Sequence, residues 1–463
     1  MGLGVQAVLA GVLLWSGFAP IELPIGPFIG LFLLIRGLIN NPLKVRLFFS
    51  LITGFSFFLP LLHWSSSYVG WIPWVSLATL QSLIFAVIAL YPFRKNVDSI
   101  FLFAACVTMI EIVRMKWPFG GFGWGRVGHT QIEWLSGLYP IIGVSGITFL
   151  AAFLAGAFSL SKMKSSIFLP IPILLAAFMP VPAVTGVLSV SAVQGGVDAL
   201  GFEYNQRALS VLKRHADFSL AIPSTTSLIV WPENASDIDP FDNVQAKTII
   251  AEYIKRVNAP VLVGAVLQSD LGPKNVSILY QADGAIGSVY TKQDLAPFGE
   301  YMPIRKIAEF ISAEAKRVKD FQPGREWISH EIEGKSFQSI ICFEVLDDDF
   351  LRQGLNEQEF VVAQTNNATF GRSPQAAQQL QIIRARAAEF QRDFAVVSTT
   401  GYTAHVNARG EIQAELEQFK PGVLEMEIET RDENSLATRL GSSFWIGFFA
   451  LILAINLRSV YRR

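Results

Sequence analysis

The distribution of charge along the chain constrains its fold more than any single motif does. Up to about Pro182 the sequence is a succession of uncharged apolar runs. From about Ala183 to Leu440 it has ordinary globular polarity, and a last apolar run, Phe444–Leu457, ends the pattern. Backbone polar groups in lipid must be satisfied within their own segment, so such runs are expected to be helices. A spanning helix takes about 20 mostly apolar residues, somewhat fewer when its flanks snorkel. Candidate spans are Val5–Ala19, Phe28–Ile39, Leu47–Leu62, Ile72–Tyr91, Ile100–Val113, Leu138–Leu160, Ile167–Val181 and Ser443–Leu457, the first two being short. Gly2–Pro20 has no basic n-region and further apolar segments follow at once, so it reads as a span and not as a cleaved signal peptide. Gln6 stands where N-myristoylation requires Ser or Thr. The expected domains are 1–183 (spans one to seven), 184–440 (a soluble domain) and 441–463 (a last span with a basic tail).

Loop charges orient these spans. Lys44 and Arg46, Arg94 and Lys95, Lys162 and Lys164, and Arg458, Arg462 and Arg463 all fall on one side, which should be the cytoplasm. The soluble domain, after an odd number of spans, then lies outside the cytoplasm. One loop breaks the rule. Arg114, Lys116 and Arg126 lie on the outer side, around KWPFGGFGWGRVGHTQ (Lys116–Gln131). Glycines and aromatics at this density suit a re-entrant or interfacial turn, an aromatic belt at the membrane surface or a contact to lipid headgroups. Glu111 is costly in lipid and should pair with Arg114 or face the bundle interior.

From Val187 the hydrophobic period changes. Short β-branched runs (Val187–Val193, Leu228–Trp231, Pro260–Val266, Ser339–Phe343, Phe360–Ala363, Phe394–Ser398) alternate with helical stretches near Glu203–Asp217, Asn243–Val257 and Gln375–Arg392. Hairpin-like strands come late, and the whole points to an α/β layered domain. A net charge of −1 without a basic stripe gives no reason to expect nucleic acid. Five scattered histidines and two cysteines show no metal-ligand spacing. Three N-x-S/T triplets, at Asn234, Asn275 and Asn367, are weak matches.

The chemistry concentrates at strand ends, where polar groups of α/β sheets gather. Cys342 ends SIIC, and Cys106 lies in an apolar run, so Cys342 has no evident disulfide partner. Taken alone, such a thiol is more often a small buried hydrophobe than a nucleophile. Two upstream stretches reverse that reading. Glu233 ends LIVWPE, where Pro232 stops the ladder. Lys292 and Glu300 lie in YTKQDLAPFGEY (Tyr290–Tyr301). A carboxylate whose pKa is raised by burial can take the thiol proton. An ammonium and the Phe343 backbone N–H can receive an oxyanion, and Glu300 can keep Lys292 charged.

This ordered set resembles the nitrilase superfamily, and the spans with KQDLAPFGEYMP resemble its membrane branch, the apolipoprotein N-acyltransferases. The resemblance implies Glu233 as general base, Lys292 as oxyanion stabiliser and Cys342 as nucleophile, with Glu300, Phe343 and Glu344 supporting. VQGG (Val193–Gly196) is similar to the family's opening strand. TNNATFG (Thr365–Gly371) departs from the usual pattern at Asn367 and Thr369, Phe343 stands where Tyr is usual, and Gln378 and Gln379 fall near a customary His. The implied fold is a nitrilase-like α-β-β-α sandwich on an eight-helix transmembrane bundle. The implied reaction needs no cofactor. An acyl chain passes from a phospholipid donor through a thioester on Cys342 to the α-amino group of the diacylglyceryl-cysteine of an apolipoprotein. The implied setting is a multi-pass protein of the bacterial inner membrane, monomeric, with its catalytic domain on the extracytoplasmic side. Met302–Phe321, with Ile307, Phe310 and Ile311, is a candidate lid or an ordinary surface helix. A membrane-anchored amidase of small amides would need only one anchor, and a non-catalytic lipoprotein scaffold would not need the three residues. A transporter would show paired polar interruptions in its spans.

Overall fold

A computed structural model describes residues 2–67, 70–160, 170–197, 209–219, 222–223, 225–311, 315–316 and 318–461. The N-terminal part is helical. Its elements are α1 (Leu3–Trp15), α2 (Ile25–Leu38), α3 (Leu43–Leu61), α4 (Trp71–Ala86), α5 (Val97–Lys116), α6 (Ile132–Leu135), α7 (Tyr139–Leu160) and α8 (Pro170–Ala177). Asn96 caps α5 by accepting from the Ser99 N–H, and Pro118 follows its end.

Among the described residues four helical runs are long and apolar enough to cross a membrane: Leu43–Leu61, Trp71–Leu90, Ile132–Leu160 and Leu436–Ile455. α1 and α2 are apolar but shorter. α5 has 20 residues and carries Asp98, Glu111, Arg114 and Lys116. Of the expected seventh span, Ile167–Leu169 lie outside the described residues, and α8 has eight residues, too few to cross alone.

The soluble part holds two mixed sheets. The first, in the order β12-β1-β2-β3-β4-β5, joins β12 (Gly422–Thr430), β1 (Gly186–Gln194), β2 (Leu228–Val230), β3 (Val261–Leu267), β4 (Lys274–Tyr280) and β5 (Ile286–Thr291). The second, β11-β10-β9-β8-β7-β6, joins β11 (Ile412–Leu416), β10 (Thr403–Val406), β9 (Phe394–Ser398), β8 (Phe360–Thr365), β7 (Lys335–Ile341) and β6 (His330–Ile332). Both are parallel at their centres (β1–β2–β3 and β7–β8–β9) and antiparallel outside them.

Strand period sets the layers. Leu188, Val190 and Ala192 of β1 meet Phe360 and Val362 of β8 between the sheets. Val193 turns the other way, towards α9 (Ser210–Phe218) and α10 (Val244–Val257). Val361 and Ala363 face outward from the second sheet, where α12 (Asp348–Leu355) and α13 (Gln375–Phe390) lie. β8 is therefore apolar on both faces, as a central parallel strand should be. α11 (Arg305–Ile311) sits in the β5–β6 connection, and α14 (Leu436–Tyr461) follows β12.

The second sheet's outer core runs on into the helical part: Ile340, Val345, Leu351 and Ile383 belong to one apolar cluster with Leu34, Phe58 and Phe103. α13 is thus covered on both sides and buries Gln378, Gln379, Gln381, Arg386 and Glu389. Its amides find backbone partners across that boundary. Gln378 Nε2 donates to Ala19 O at 3.1 Å, and Gln381 Nε2 to Gly17 O at 2.9 Å.

The three basic residues that broke the charge rule are used here. Lys116 pairs with Asp347 at 2.7 Å and Asp349 at 3.3 Å. Arg126, fully buried, binds Asp348 and lies 3.7 Å from Glu111. Arg114 donates to Gln81 and to Trp124 O. Glu111 faces the interior, but its contacts are Val127 N–H, Thr148 and Arg126, with no ion pair to Arg114. The glycine- and aromatic-rich loop lies mostly inside this boundary, with Trp124 and Arg126 buried; Trp117 and Phe119 remain exposed.

Candidate active site

Three strand ends converge. Glu233 follows β2 after the Trp231-Pro232 turn, Lys292 follows β5, and Cys342 follows β7. Lys292 Nζ lies 2.9 and 2.8 Å from the two oxygens of Glu300 and 3.7 Å from Glu233 Oε1, with its side chain 1% exposed. Asn275 of β4 bridges the two acids, donating from Nδ2 to Glu233 Oε1 at 2.8 Å and to Glu300 Oε1 at 3.1 Å. The Ala296 N–H holds the other Glu300 oxygen at 2.8 Å.

Cys342 has a φ of +53° and opens a 3-10 turn, Cys342–Leu346. A left-handed non-glycine residue costs about 1–3 kcal/mol and persists only where its surroundings enforce it. Glu344 is part of that enforcement. One oxygen accepts the Ile341 N–H at 2.7 Å; the other accepts Tyr290 Oη at 2.7 Å and the Gln293 N–H at 2.8 Å. The thiol turn is thereby tied to the Lys292 loop. Arg386 donates to the carbonyls of Val345 and Leu346 at the turn's far end. Gln379 Nε2 lies 3.2 Å from Cys342 O and 3.6 Å from Sγ. Beneath the cleft, Ser277 of β4 bonds Ser339 of β7 and Gln364 of β8, whose amide donates to Trp231 O, so polar contacts cross between the sheets.

The electrostatics favour a proton in transit. Burial raises the Glu233 carboxyl, with Lys292 opposing and Glu300 adding to the rise. Burial works against the Lys292 charge, but Glu300, Glu233 and Cys342 outweigh it and hold the ammonium protonated. Burial pushes the Cys342 thiol up to about 12, Glu233 adding and Lys292 opposing. Glu344 is raised to about 7, again by burial, with Lys292 and its hydrogen-bond donors opposing.

The structure brings Glu233, Lys292 and Glu300 into contact and ties Glu344 to the Cys342 turn. Phe343 packs its ring 6.3 Å from that of Phe122. Asn275, Tyr290 and Arg386 were not foreseen as parts of the site, since lone amide, phenol and guanidinium groups in strands and helices carry no local pattern. Of the two glutamines noted in the sequence, Gln379 contacts the cysteine. Asn275 and Asn367 are buried, which excludes both triplets as glycan acceptors in the folded protein. Asn367 instead bonds Gln375, Gln379 and Ser398. The Met302–Phe321 segment contains α11, with Ile307 and Phe310 exposed; Ile311's side chain and residues 312–314 and 317 lie outside the described set.

Fold and cleft together define a nitrilase-like carbon–nitrogen hydrolase domain carried on apolar helices. Residues 190–437 match the family model described as carbon-nitrogen hydrolase, and residues 10–157 match the apolipoprotein N-acyltransferase N-terminal domain. Apolipoprotein N-acyltransferase of Mycolicibacterium smegmatis is 31% identical, across 94% of this chain and 81% of that one. The Aquifex aeolicus protein of the same name is 28% identical, across 90% and 97%. A CN-hydrolase superfamily structure from Xanthomonas campestris aligns with 19% identity and a TM-score of 0.39, over 53% of this chain and 91% of that one. The chain belongs to the apolipoprotein N-acyltransferase family.

Proposed function

We propose that this protein moves an acyl chain from a phospholipid to the α-amino group of a diacylglyceryl-modified N-terminal cysteine on lipoproteins, through a thioester on Cys342. The observation that carries the reading is the buried Lys292, shared between Glu300 and Glu233 at a cleft edge where Cys342 is held in a left-handed turn.

In the first half-reaction Cys342 Sγ attacks the ester carbonyl while Glu233 takes the thiol proton. The thiol is a weak acid here, so its proton leaves as the new bond forms and charge flows onto the carbonyl oxygen. Lys292 and the Phe343 N–H stabilise that oxyanion. Collapse breaks the acyl C–O bond, and Glu233 returns the proton to the departing lysophospholipid oxygen. In the second half-reaction the acceptor amine attacks the thioester, Glu233 takes an amine proton, the C–S bond breaks, and Glu233 returns that proton to the leaving Cys342 sulfur, regenerating the thiol. A thioester retains reactivity towards an amine, and one site serves two bulky lipids in turn.

Glu300 holds Lys292 charged, and Glu344 positions the Cys342 turn. In this reading the chain sits in the bacterial inner membrane, with residues 184–440 outside the cytoplasm and the apolar helices of residues 1–183 and 441–463 as its membrane part. The charge of the loops supports this orientation. Apolar α11 side chains suit a lid that excludes water from the thioester.

Incubation with radiolabelled phospholipid and a diacylated lipopeptide should give a triacylated product, with label trapped on Cys342 when the acceptor is omitted. Product formed by a Cys342→Ser variant would remove the assignment.

A further inference from the structure

A cavity of about 320 Å³ lies where α7, α12, α13 and α14 meet. It is separate from the cleft: Glu233, Lys292, Glu300, Cys342 and Gln379 do not line it. Its walls are Ile142, Phe149, Phe444, Trp445 and Phe448, and its floor is polar, formed by Asp348 and Glu389. We propose that this cavity is a second phospholipid site, holding one acyl chain against the aromatic wall and the phosphate on Arg352.

Backbone geometry makes the space. α7 breaks at Gly143 (φ 64°) and α14 at Gly441 (φ 63°), and both breaks line the cavity. Each restarted helix is capped from the soluble domain. Glu389 accepts the Val144 N–H at 3.1 Å, and Asp349 accepts the Ser442 N–H at 3.0 Å. These are interruptions in two spans, but carboxylates already occupy the freed amides, so they do not form a polar path.

Three observations select the occupant. α7 and α14 both belong to runs of spanning length, and the lining residues Leu440 and Phe444 are also exposed on the outer face, so the medium beside the opening is lipid in a membrane. The volume falls within the range of small-molecule sites, about 300–1,000 Å³. Arg352 Nε is buried and makes no hydrogen bond. Its acidic neighbour Asp349 is 3.9 Å away and already engaged by Ser442 and Lys116. The floor acids do not cancel the guanidinium, because Arg126 and Arg386 bind them. A planar guanidinium with free donors beside an apolar slot fits a phosphate and its acyl chain.

The floor also gives the site a consequence. Asp348 and Glu389 hold Arg386, and Arg386 holds the carbonyls of the Cys342 turn. A lipid seated here braces the nucleophile's support without entering the cleft.

The test uses the full-length Cys342→Ser protein, delipidated in detergent and titrated with palmitoyl-oleoyl phosphatidylglycerol under native mass spectrometry. Two lipids should be retained, the donor in the catalytic cleft and one in the cavity, and the lipid followed is the one that alkylation of Cys342 leaves bound. Arg352→Gln should shift its midpoint tenfold or more, Arg352→Lys should recover part of that shift, and Ala437→Phe, which fills the slot, should abolish its retention. Wild-type protein alkylated at Cys342 should keep the lipid with an unchanged midpoint. Equal retention in Arg352→Gln and Ala437→Phe would overturn the site, and so would loss of both lipids on alkylation, which would assign them to the catalytic cleft. If Ala437→Phe fails to fold, the Arg352 pair decides alone. Because the readout is binding, it stands whether or not acyl transfer is found.

Discussion

The molecule buries two clusters of charge, and they are built to opposite ends. In the cleft, two acids share one ammonium, and Glu233 and Cys342 are both raised by burial. In the seam between helices and soluble domain, Glu111, Asp348 and Glu389 meet Arg126 and Arg386. Backbone N–H groups of Val127 and Val144 and the Thr148 hydroxyl complete the acids' contacts. Asp348 is buried, which alone would raise it, but the two guanidiniums hold it well below the usual range. The cleft sets a raised carboxyl beside a thiol, whereas in the seam burial raises Glu389 as well, with Arg386 opposing, but its oxygens are taken by Arg386 and the Val144 N–H and no nucleophile adjoins them. Burial alone therefore does not mark chemistry; a raised acid placed beside a nucleophile does.

The largest expected contrast separates activity from stability. Cys342→Ser should lower triacylated product by about a thousandfold or more, with the thermal midpoint unchanged or raised, since the left-handed backbone strain stays and only one atom changes. A fall in midpoint comparable to a core mutation would mean that the thiol is structural and the comparison false.

The seam should behave the other way. Arg126→Met leaves Asp348 and Glu111 buried with fewer partners, a change that costs about 3–5 kcal/mol when a buried pair is broken. Arg126→Met combined with Asp348→Asn should recover a substantial part of that loss. Chemical denaturation of the two variants measures it. No recovery in the double variant would show that Arg126 acts by packing and not through Asp348.

Proton titration sharpens the same contrast. Glu233 must be ionised to act as base, so kcat/KM should fall about tenfold per pH unit once pH drops below its raised pKa. Stability should not follow. A carboxyl raised in the folded state favours folding as pH falls towards its unfolded value. Asp348, depressed in the folded state, contributes stability that is fully present above about pH 3.9 and is lost only below it. The acid limb of activity should therefore lie above the ordinary carboxylate range, and the thermal midpoint should hold or rise across it. An acid limb that survives unchanged in whatever residual rate Glu233→Gln retains would assign the titration to another group.

The cleft was largely legible in the sequence and the seam only half so, for a physical reason. Glu233, Lys292 and Cys342 each end an apolar strand beside a turn, a context visible within a dozen residues. Asn275 and Gln379 occupy the same cleft without any such context. In the seam, Arg114, Lys116 and Arg126 were conspicuous as cations on the wrong side of the membrane, but Arg126 finds Asp348 222 positions away. α13 was expected as a helix and not as a buried one. Its glutamines and Arg386 look solvated in sequence because the bundle that covers them is encoded elsewhere. Four of the apolar runs are helices of crossing length among the described residues, but the sequence did not show where two of them break. Gly143 and Gly441 lie in ordinary apolar contexts, and only the incoming acids explain them.

The smallest effect tests how far the seam's strength depends on burial. Lys116 meets Asp347 at 2.7 Å, closer than Arg126 stands to Glu111, but its side chain is 40% exposed against none for Arg126. Arg126 stands as close to Asp348, so distance alone would rank the two cations alike; solvent separates them. Water screens the exposed pair, and fixing a long side chain costs entropy, so such pairs are worth about 0–1 kcal/mol. Lys116→Ala should accordingly change stability by no more than about 1 kcal/mol, and the difference should shrink further in 1 M salt, where the Debye length is about 3 Å. Arg126→Met should keep its full penalty at the same ionic strength. If the Lys116 variant proved as costly as the Arg126 variant, and equally indifferent to salt, proximity would govern the seam, and the division drawn between its buried and exposed contacts would fail.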